Sequence, residues 1–350
     1  MDPFSHLLLG YLLGFGIWGP GGLPYVVAAA VAGALPDGDI LLYPLSHRFP
    51  LLRHRGISHS IFGVTVLAAV GCLLVPRAIG WGLGSGFASG STLGFFLAME
   101  VGGLSHVFLD SLDHWSVPIF APFSPTEYKF DVDRIVNVGS MAFTVLAYAI
   151  MIYERGRVPM AWWVDTTELL LAAAVFYFAV RILARWRAGV AAREGGYSAV
   201  IPQAHPLHFA MFDEESTPEL RRLRWARFHL TRGFDGPGRS LEVPLGVADP
   251  LPVGSPSAAL SRTYGPSFAE SWILGETRPF AEVRASPGGF DVFWYSLEMT
   301  FFGRSAGVLA HIDSATGKVT TRAMWRAPER VFGDPPIGSA PRASPAGPAV

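Results

Sequence analysis

Apolar residues run through the first half of the chain in long stretches, and the second half changes to short alternating ones. Leu7 to Trp18 is apolar, breaks at Gly19-Pro20-Gly21-Gly22 and resumes from Leu23 to Leu35. Each arm is shorter than the roughly 20 residues that cross hydrocarbon unaided, so the pair predicts a helical hairpin, partly re-entrant or shielded by other helices. Ile61 to Val75 predicts a further helix that stops at Pro76, and the Gly- and Ser-rich run from Gly80 to Ser91 predicts a loop. Thr92 to Leu112 is apolar except for Glu100, Ser105, His106 and Asp110, which gathers its polar groups toward the carboxyl end. Val136 to Tyr153 and Leu169 to Leu183 add two segments, for about five or six membrane helices in all.

Beyond Arg193 no apolar run is long enough to span. Arg224 to Leu230, Pro279 to Ala285, Phe290 to Phe302, Gly307 to Ile312 and Lys318 to Trp325 alternate as strands do, and Asp313-Ser314-Ala315-Thr316-Gly317 has the composition of a hairpin turn. The expected organisation is an α-helical integral membrane domain over residues 1–190, a small antiparallel β-rich soluble domain over 191–330, and a disordered tail over 331–350.

Composition agrees with this division. Half of the residues are hydrophobic and 16% are charged, too apolar a balance for an ordinary soluble protein of this length. The formal net charge of −1 gives no global reason to expect nucleic acid. Cys72 stands alone in an apolar run, which rules out an intramolecular disulfide and a thiolate-built metal site. The amino terminus has no basic stretch of the kind that opens a secretory signal, so it is read as part of the fold. Basic residues in short loops stay in the cytoplasm. That rule puts Arg48, Arg53 and Arg55, Lys129 and Arg134, and Arg185, Arg187 and Arg193 on the cytoplasmic side, with Asp131 and Asp133 as surface acids beside their basic neighbours.

The candidate chemistry lies at one end of the predicted bundle. His6, Asp37, Asp39, His54, His59, His106 and Asp110, together with Asp113 and His114, supply imidazoles and carboxylates, the ligand types that suit zinc, manganese or iron. His106 and Asp110 are i and i+4 on a helix and project from one face. Pro36 and Gly38 frame two carboxylates in a turn, a pattern that also occurs as a plain turn. Unpaired charge between apolar segments is costly, and a divalent cation relieves both burial and carboxylate repulsion. His205, His208, His229 and His311 share no spacing and read as ordinary side chains of the second half.

The motifs His6, Leu35-Pro36-Asp37-Gly38-Asp39, His54-Arg55-Gly56-Ile57-Ser58-His59-Ser60 and Leu104-Ser105-His106-Val107-Phe108-Leu109-Asp110, in that order, resemble the YdjM-type membrane-bound metal-dependent hydrolases. Val117-Pro118-Ile119-Phe120-Ala121-Pro122-Phe123 is similar to the family's segment after the His-x-x-x-Asp helix. The resemblance implies a multi-pass helical protein of the inner (plasma) membrane that binds divalent metal. It also implies hydrolase activity, with a distant likeness to zinc-dependent phospholipase C and P1-type nucleases. Those relatives carry a second His-x-x-x-acid pair that this chain lacks, so one or two ions are expected, zinc first and manganese or iron as alternatives. The metal site and the carboxyl-terminal domain are expected to face the cytoplasm.

Arg55 is the candidate for binding phosphate, because its planar fork suits two oxygens, although an arginine there also serves as an anchor at the headgroups. The expected partner is a membrane lipid or lipid-linked phosphoester, with no nucleic acid. Two rivals stay open at this stage. One is a non-enzymatic metal-stabilised scaffold or adaptor, and the other a metal transporter, which would need ligands deep in the bilayer.

Overall fold

A computed structural model describes residues 2–42, 55–83, 90–134, 137–154, 160–203, 205–217, 220–236, 238–244, 253–263, 279–301 and 304–326. Within them the chain forms two compact units. One comprises Met1–Arg187 with Ala204–Pro206, the other Ala188–Gln203 with Leu207–Val350. His54, Arg48 and Arg53, and the tail expected to be disordered, lie outside the described residues.

The first unit is helical: α1 (Pro3–Trp18), α2 (Leu23–Ala34), α3 (Ile61–Leu83), α4 (Thr92–Ser111), α5 (Val138–Glu154) and α6 (Met160–Glu194), the last running into the second unit. Asp2 starts α1 by accepting from the backbone N–H groups of Phe4 and Ser5, and Pro3 occupies the first turn, where its missing N–H costs nothing. Ser91 caps α4 in the same way, accepting from the Gly94 N–H. Among the described residues three helices are long and apolar enough to cross a membrane, in α3, α4 and α6. The pair α1–α2, bent by 115° at the Gly-Pro break, makes up to a fourth. That is fewer than the expected five or six. The two arms of the hairpin are each too short, and α5 has 17 residues.

A second correction concerns Pro76, which lies inside α3 rather than at its end. Proline removes one intrahelical bond, and a helix in apolar surroundings still keeps the others because no water competes for them. Outward faces of these helices are apolar and exposed, as at Leu74, Val145, Leu169 and Phe176, where lipid takes the place of water.

Small residues set how closely α1, α2 and α4 approach. A Cβ on Gly33 would lie 2.5 Å from the His6 carbonyl oxygen, and one on Gly102 would lie 2.1 Å from that of Ala29. Ala28, Ala29 and Ala32 fill the same contact without exposure. The segment after α4 folds back on that helix's end. The N–H groups of Phe130 and Val132 donate to the carbonyls of Ser111 and Leu112, and the Ile61 N–H donates to Ile119.

In the second unit, β1 (Ala199–Pro202), β2 (His208–Ser216), β3 (Leu220–His229) and β4 (Gly233–Phe234) form one antiparallel sheet, with β5 (Arg239–Pro244) also paired to β3. A second antiparallel sheet follows in the order β6 (Pro279–Ser286), β7 (Gly289–Phe301), β8 (Arg304–Asp313) and β9 (Val319–Arg326). Alternation along β7 sends Phe293 and Tyr295 into a core shared with Ile201, Phe212, Leu223 and Trp225 of the first sheet. Val292 and Trp294 face the other way, against the short helix α7 (Pro256–Thr263), where the Trp294 indole donates to Thr263 Oγ1 at 2.9 Å. The expected turn at Asp313–Gly317 joins β8 to β9, with the Asp313 carboxylate accepting from the Thr316 N–H.

Candidate metal centre

The hairpin, the start of α3 and the end of α4 converge on a buried group of acidic and imidazole side chains. Asp37 comes from the seven-residue 3₁₀ helix after α2 (Pro36–Leu42), His59 from the one-turn helix before α3 (Ile57–His59), and His106 and Asp110 from successive turns of α4. One donor atom from each of these four residues lies within 4.8 Å of all the others. His59 Nε2 is 3.5 Å from Asp37 Oδ1 and 3.4 Å from Asp110 Oδ2. His106 Nε2 is 3.7 Å and 3.5 Å from the same two oxygens. A tetrahedral ion with bonds of about 2.0–2.1 Å separates its ligands by about 3.4 Å, so the spacing fits a divalent ion.

Outer contacts decide which ring nitrogen faces inward. His106 Nδ1 donates to the Gly33 carbonyl at 2.7 Å, and a carbonyl can only accept, so the neutral ring presents a lone pair at Nε2. That Nε2 is buried and makes no hydrogen bond. His59 Nδ1 lies 3.3 Å from Asp39 Oδ2 and 3.1 Å from Ser58 Oγ, the carboxylate–histidine arrangement that orients a metal ligand. Asp39 therefore stands behind His59, and it also accepts from the Ser58 hydroxyl and the Arg55 N–H.

His6 reaches the group from the opposite side of Asp110. Its Nε2 is 3.3 Å from Asp110 Oδ1, its ring stacks on His106 with centroids 3.9 Å apart, and neither ring nitrogen makes a hydrogen bond. The remaining sequence candidate, His54, is outside the described residues.

Arg55 is buried and aimed at carboxylates. Nη2 donates to Asp110 Oδ1 at 3.1 Å and to Asp113 Oδ2 at 3.0 Å, and Nη1 donates to the Trp115 carbonyl, with the guanidinium 5.3 Å from the centroid of the Trp115 ring. Its backbone is left-handed, with φ of 60°, which turns the chain into the one-turn helix carrying His59. Burial opposes its charge, but Asp110 and Asp113 outweigh burial and raise its pKa. Glu100, the other acid of α4, accepts from Thr65 Oγ1 at 2.8 Å.

The electrostatics favour a cation. Asp110 and Asp113 contact the Arg55 guanidinium and Asp37 and Asp39 the His59 ring, so four carboxylates share one guanidinium. Burial would raise the Asp37 pKa, but His59 and His106 outweigh it and hold the carboxyl below its usual range. Burial would likewise lower the His59 pKa, and Asp37 and Asp39 reverse the sign.

Asp113 and His114 stand in the sequence beside the ligand candidates, with no one role marked for either. The structure buries both, and His114 Nδ1 donates to Asp113 Oδ1 at 2.8 Å while Nε2 has no hydrogen-bond partner. Burial would raise the Asp113 pKa, yet His114 and Arg55 keep it well below the usual range. Their closeness in sequence to Asp110 was the available signal; nothing local pointed to the Gly33 carbonyl. Asp133, expected at the surface, is fully buried. It accepts from the Arg134 N–H at 2.9 Å and the Tyr177 hydroxyl at 2.9 Å, and Arg181 Nη2 lies 3.5 Å away.

Residues 1–188, more than half of the chain, match the family model described as YdjM inner membrane protein. Comparison with curated proteins and with solved structures gives no match.

Proposed function

The chain belongs to the YdjM inner membrane protein family, and from that premise we propose a membrane-bound metal-dependent hydrolase acting on a phosphoester of a lipid or lipid-linked substrate. One observation carries the reading. At the centre of the cluster, His106 directs Nδ1 at the Gly33 carbonyl, and its Nε2, which makes no hydrogen bond, faces carboxylate oxygens of Asp37 and Asp110 at 3.7 and 3.5 Å. A cation satisfies all of these atoms at once.

A divalent ion held there supplies Lewis acidity and makes water nucleophilic at neutral pH. Asp37, His59, His106 and Asp110 would hold it, with His6 adjoining through Asp110. Gly33 and Asp39 fix the two imidazoles in the ligating tautomer. Arg55 keeps Asp110 and Asp113 in place and offers positive charge to a phosphoryl oxygen. His114, oriented by Asp113, is the proton carrier, its Nε2 available to protonate a leaving oxygen. The mixed nitrogen and oxygen donors suit zinc first, then manganese or iron. The end of α6 that carries Arg185, Arg187 and Arg193 is assigned to the cytoplasm on its charge.

One feature favours a second reading, a metal-stabilised scaffold. Four protein donors are enough to fill the coordination of a structural zinc site, which keeps no open position. A hydrolytic site needs room for a fifth ligand, or a metal with a larger coordination shell. Elemental analysis of the purified protein, combined with turnover of a panel of phosphoesters including lipids, separates the two. Metal without turnover of any member leaves the scaffold.

A further inference from the structure

The chain that follows the metal centre exposes large aromatic side chains on irregular backbone. Past His114 and Trp115, the Val117 N–H donates to the Tyr128 carbonyl and the Tyr128 N–H to that of Val117, which closes residues 118–127 into a loop. Phe123 in this loop is 81% exposed, and Phe120 and, just beyond it, Phe130 are about half exposed. The 3₁₀ helix that carries Asp37 exposes Ile40 and Leu41 at the same end of the helices. A gathering of apolar side chains this large on a protein surface marks a place of contact.

Two sets of contacts fix the level of the loop along the helices. The Phe123 ring meets that of Phe62 edge-on with centroids 5.6 Å apart, and the Ile61 N–H donates to the Ile119 carbonyl at 3.0 Å, so the loop lies against the first turn of α3. The Phe130 N–H donates to the Ser111 carbonyl at 2.9 Å, at the last turn of α4. Both helices are long and apolar enough to span a membrane, and their outward faces carry exposed Val66 and Val70, Leu104 and Phe108. The aromatics of the loop therefore continue two lipid-facing surfaces at the point where the spans end. That continuity favours the bilayer, rather than a protein, as what covers them.

Depth is limited by the backbone. Irregular chain surrounded by lipid is excluded from the hydrocarbon, because its amides need partners. The loop supplies some of them: the Ala121 N–H donates to the Pro118 carbonyl, and the Phe123 and Ser124 N–H groups to that of Phe120. The others require the headgroup layer, where water remains. Lys129, exposed beside Phe130, brings a positive charge to the same layer on a stem that can lie along apolar surface.

We propose that residues 118–130 form an interfacial loop, seated among the lipid headgroups beside the metal centre with Phe120, Phe123 and Phe130 inserted toward the acyl chains. This placement stands on the exposed aromatics and the two spans, whether or not the centre is hydrolytic.

The test uses the full-length protein in phosphatidylcholine vesicles, with its one cysteine removed as Cys72→Ser and a nitroxide attached at Phe120→Cys, Phe123→Cys or Phe130→Cys in turn. Collision with oxygen, which concentrates in lipid, is compared with collision with a water-soluble nickel chelate. Val70→Cys on the outward face of α3 gives the lipid reference, and Ala315→Cys in the turn between β8 and β9 the aqueous one. The loop labels should show an oxygen-to-nickel ratio several-fold above that at Ala315, at a depth of about 5–10 Å into the headgroup and acyl boundary. An unfolding midpoint unchanged in detergent shows that each labelled variant folds, and the three positions are independent, so the loss of one leaves the others to decide. Nickel access equal to that at Ala315 puts the loop in water and overturns the proposal. Exclusion of both reagents means that protein covers it, a second copy included, and overturns it too. Insertion without turnover of any phosphoester removes the hydrolase and keeps the loop; turnover with the loop in water does the reverse.

Discussion

Two buried polar clusters sit in the helical unit, and they are built on opposite principles. Around Asp133 every close contact pairs a donor with an acceptor: the Arg134 N–H and Arg181 guanidinium with one carboxylate oxygen, the Tyr177 hydroxyl with the other. Around His106 the arrangement differs: its Nδ1 proton goes outward to the Gly33 carbonyl, its Nε2 makes no hydrogen bond, and carboxylate oxygens of Asp37 and Asp110 face that nitrogen at 3.7 and 3.5 Å. Burial alone does not distinguish the two, since Asp133 and Asp110 are equally inaccessible. The direction of the hydrogen bonds does. A carboxylate met only by donors ties helices together; a ring nitrogen that faces carboxylate oxygens is arranged for a cation.

The largest effect that separates the clusters is metal content. Asp110→Ala should reduce bound metal to background by elemental analysis, whereas Asp133→Asn should leave it unchanged. Equal content in wild type and Asp110→Ala would break the comparison at its root. Stability should respond in the other order. Asp133→Ala removes a buried carboxylate that accepts from the Arg134 N–H and the Tyr177 hydroxyl and faces Arg181, and should cost about 3–5 kcal/mol, read as a lowered unfolding midpoint in detergent. Asp39→Ala tests the outer contacts of the metal cluster: with His59 no longer oriented, metal affinity should fall about 10–100-fold in a competition titration, with no comparable loss of stability.

Acidification gives a smaller, graded effect. Imidazole must be deprotonated to ligate, and the carboxylates raise the His59 pKa above its ordinary value of 6.5. Protons therefore compete with metal from a higher pH than for a free histidine, and retention should decline as pH falls through that range. Asp39→Ala, with its weaker hold on the metal, should move the decline to higher pH, while Asp133→Asn should leave its position unaltered.

Much of this was legible in the chain. His106 and Asp110 had to share a helix face, and Pro36-Asp37-Gly38-Asp39 had to turn. The strands of the second sheet were marked by alternation, and the Asp313–Gly317 turn by its residues. What escaped depends on long-range contact. Asp37 and Asp39 are chemically identical and two positions apart, and the approach of His59 alone sends one to the cluster and the other behind an imidazole. Asp133 looked like a surface acid because its neighbours are charged, and its burial is set by Tyr177 and Arg181, more than forty positions away. Strands β1, β2 and β5 were missed because their sequences mix Pro and charge with apolar residues, and pairing rather than pattern defines them.

Gly33 has a consequence for anyone who would rebuild this site in another protein. It lets α1 lie against α2, bringing His6 within reach of Asp110, and its carbonyl sets the tautomer of His106. Copying the side chains onto a designed bundle would transfer the ligands without the spacing and the acceptor that orient them. The transferable unit is the tight crossing of the hairpin, with the glycine treated as one of its functional groups.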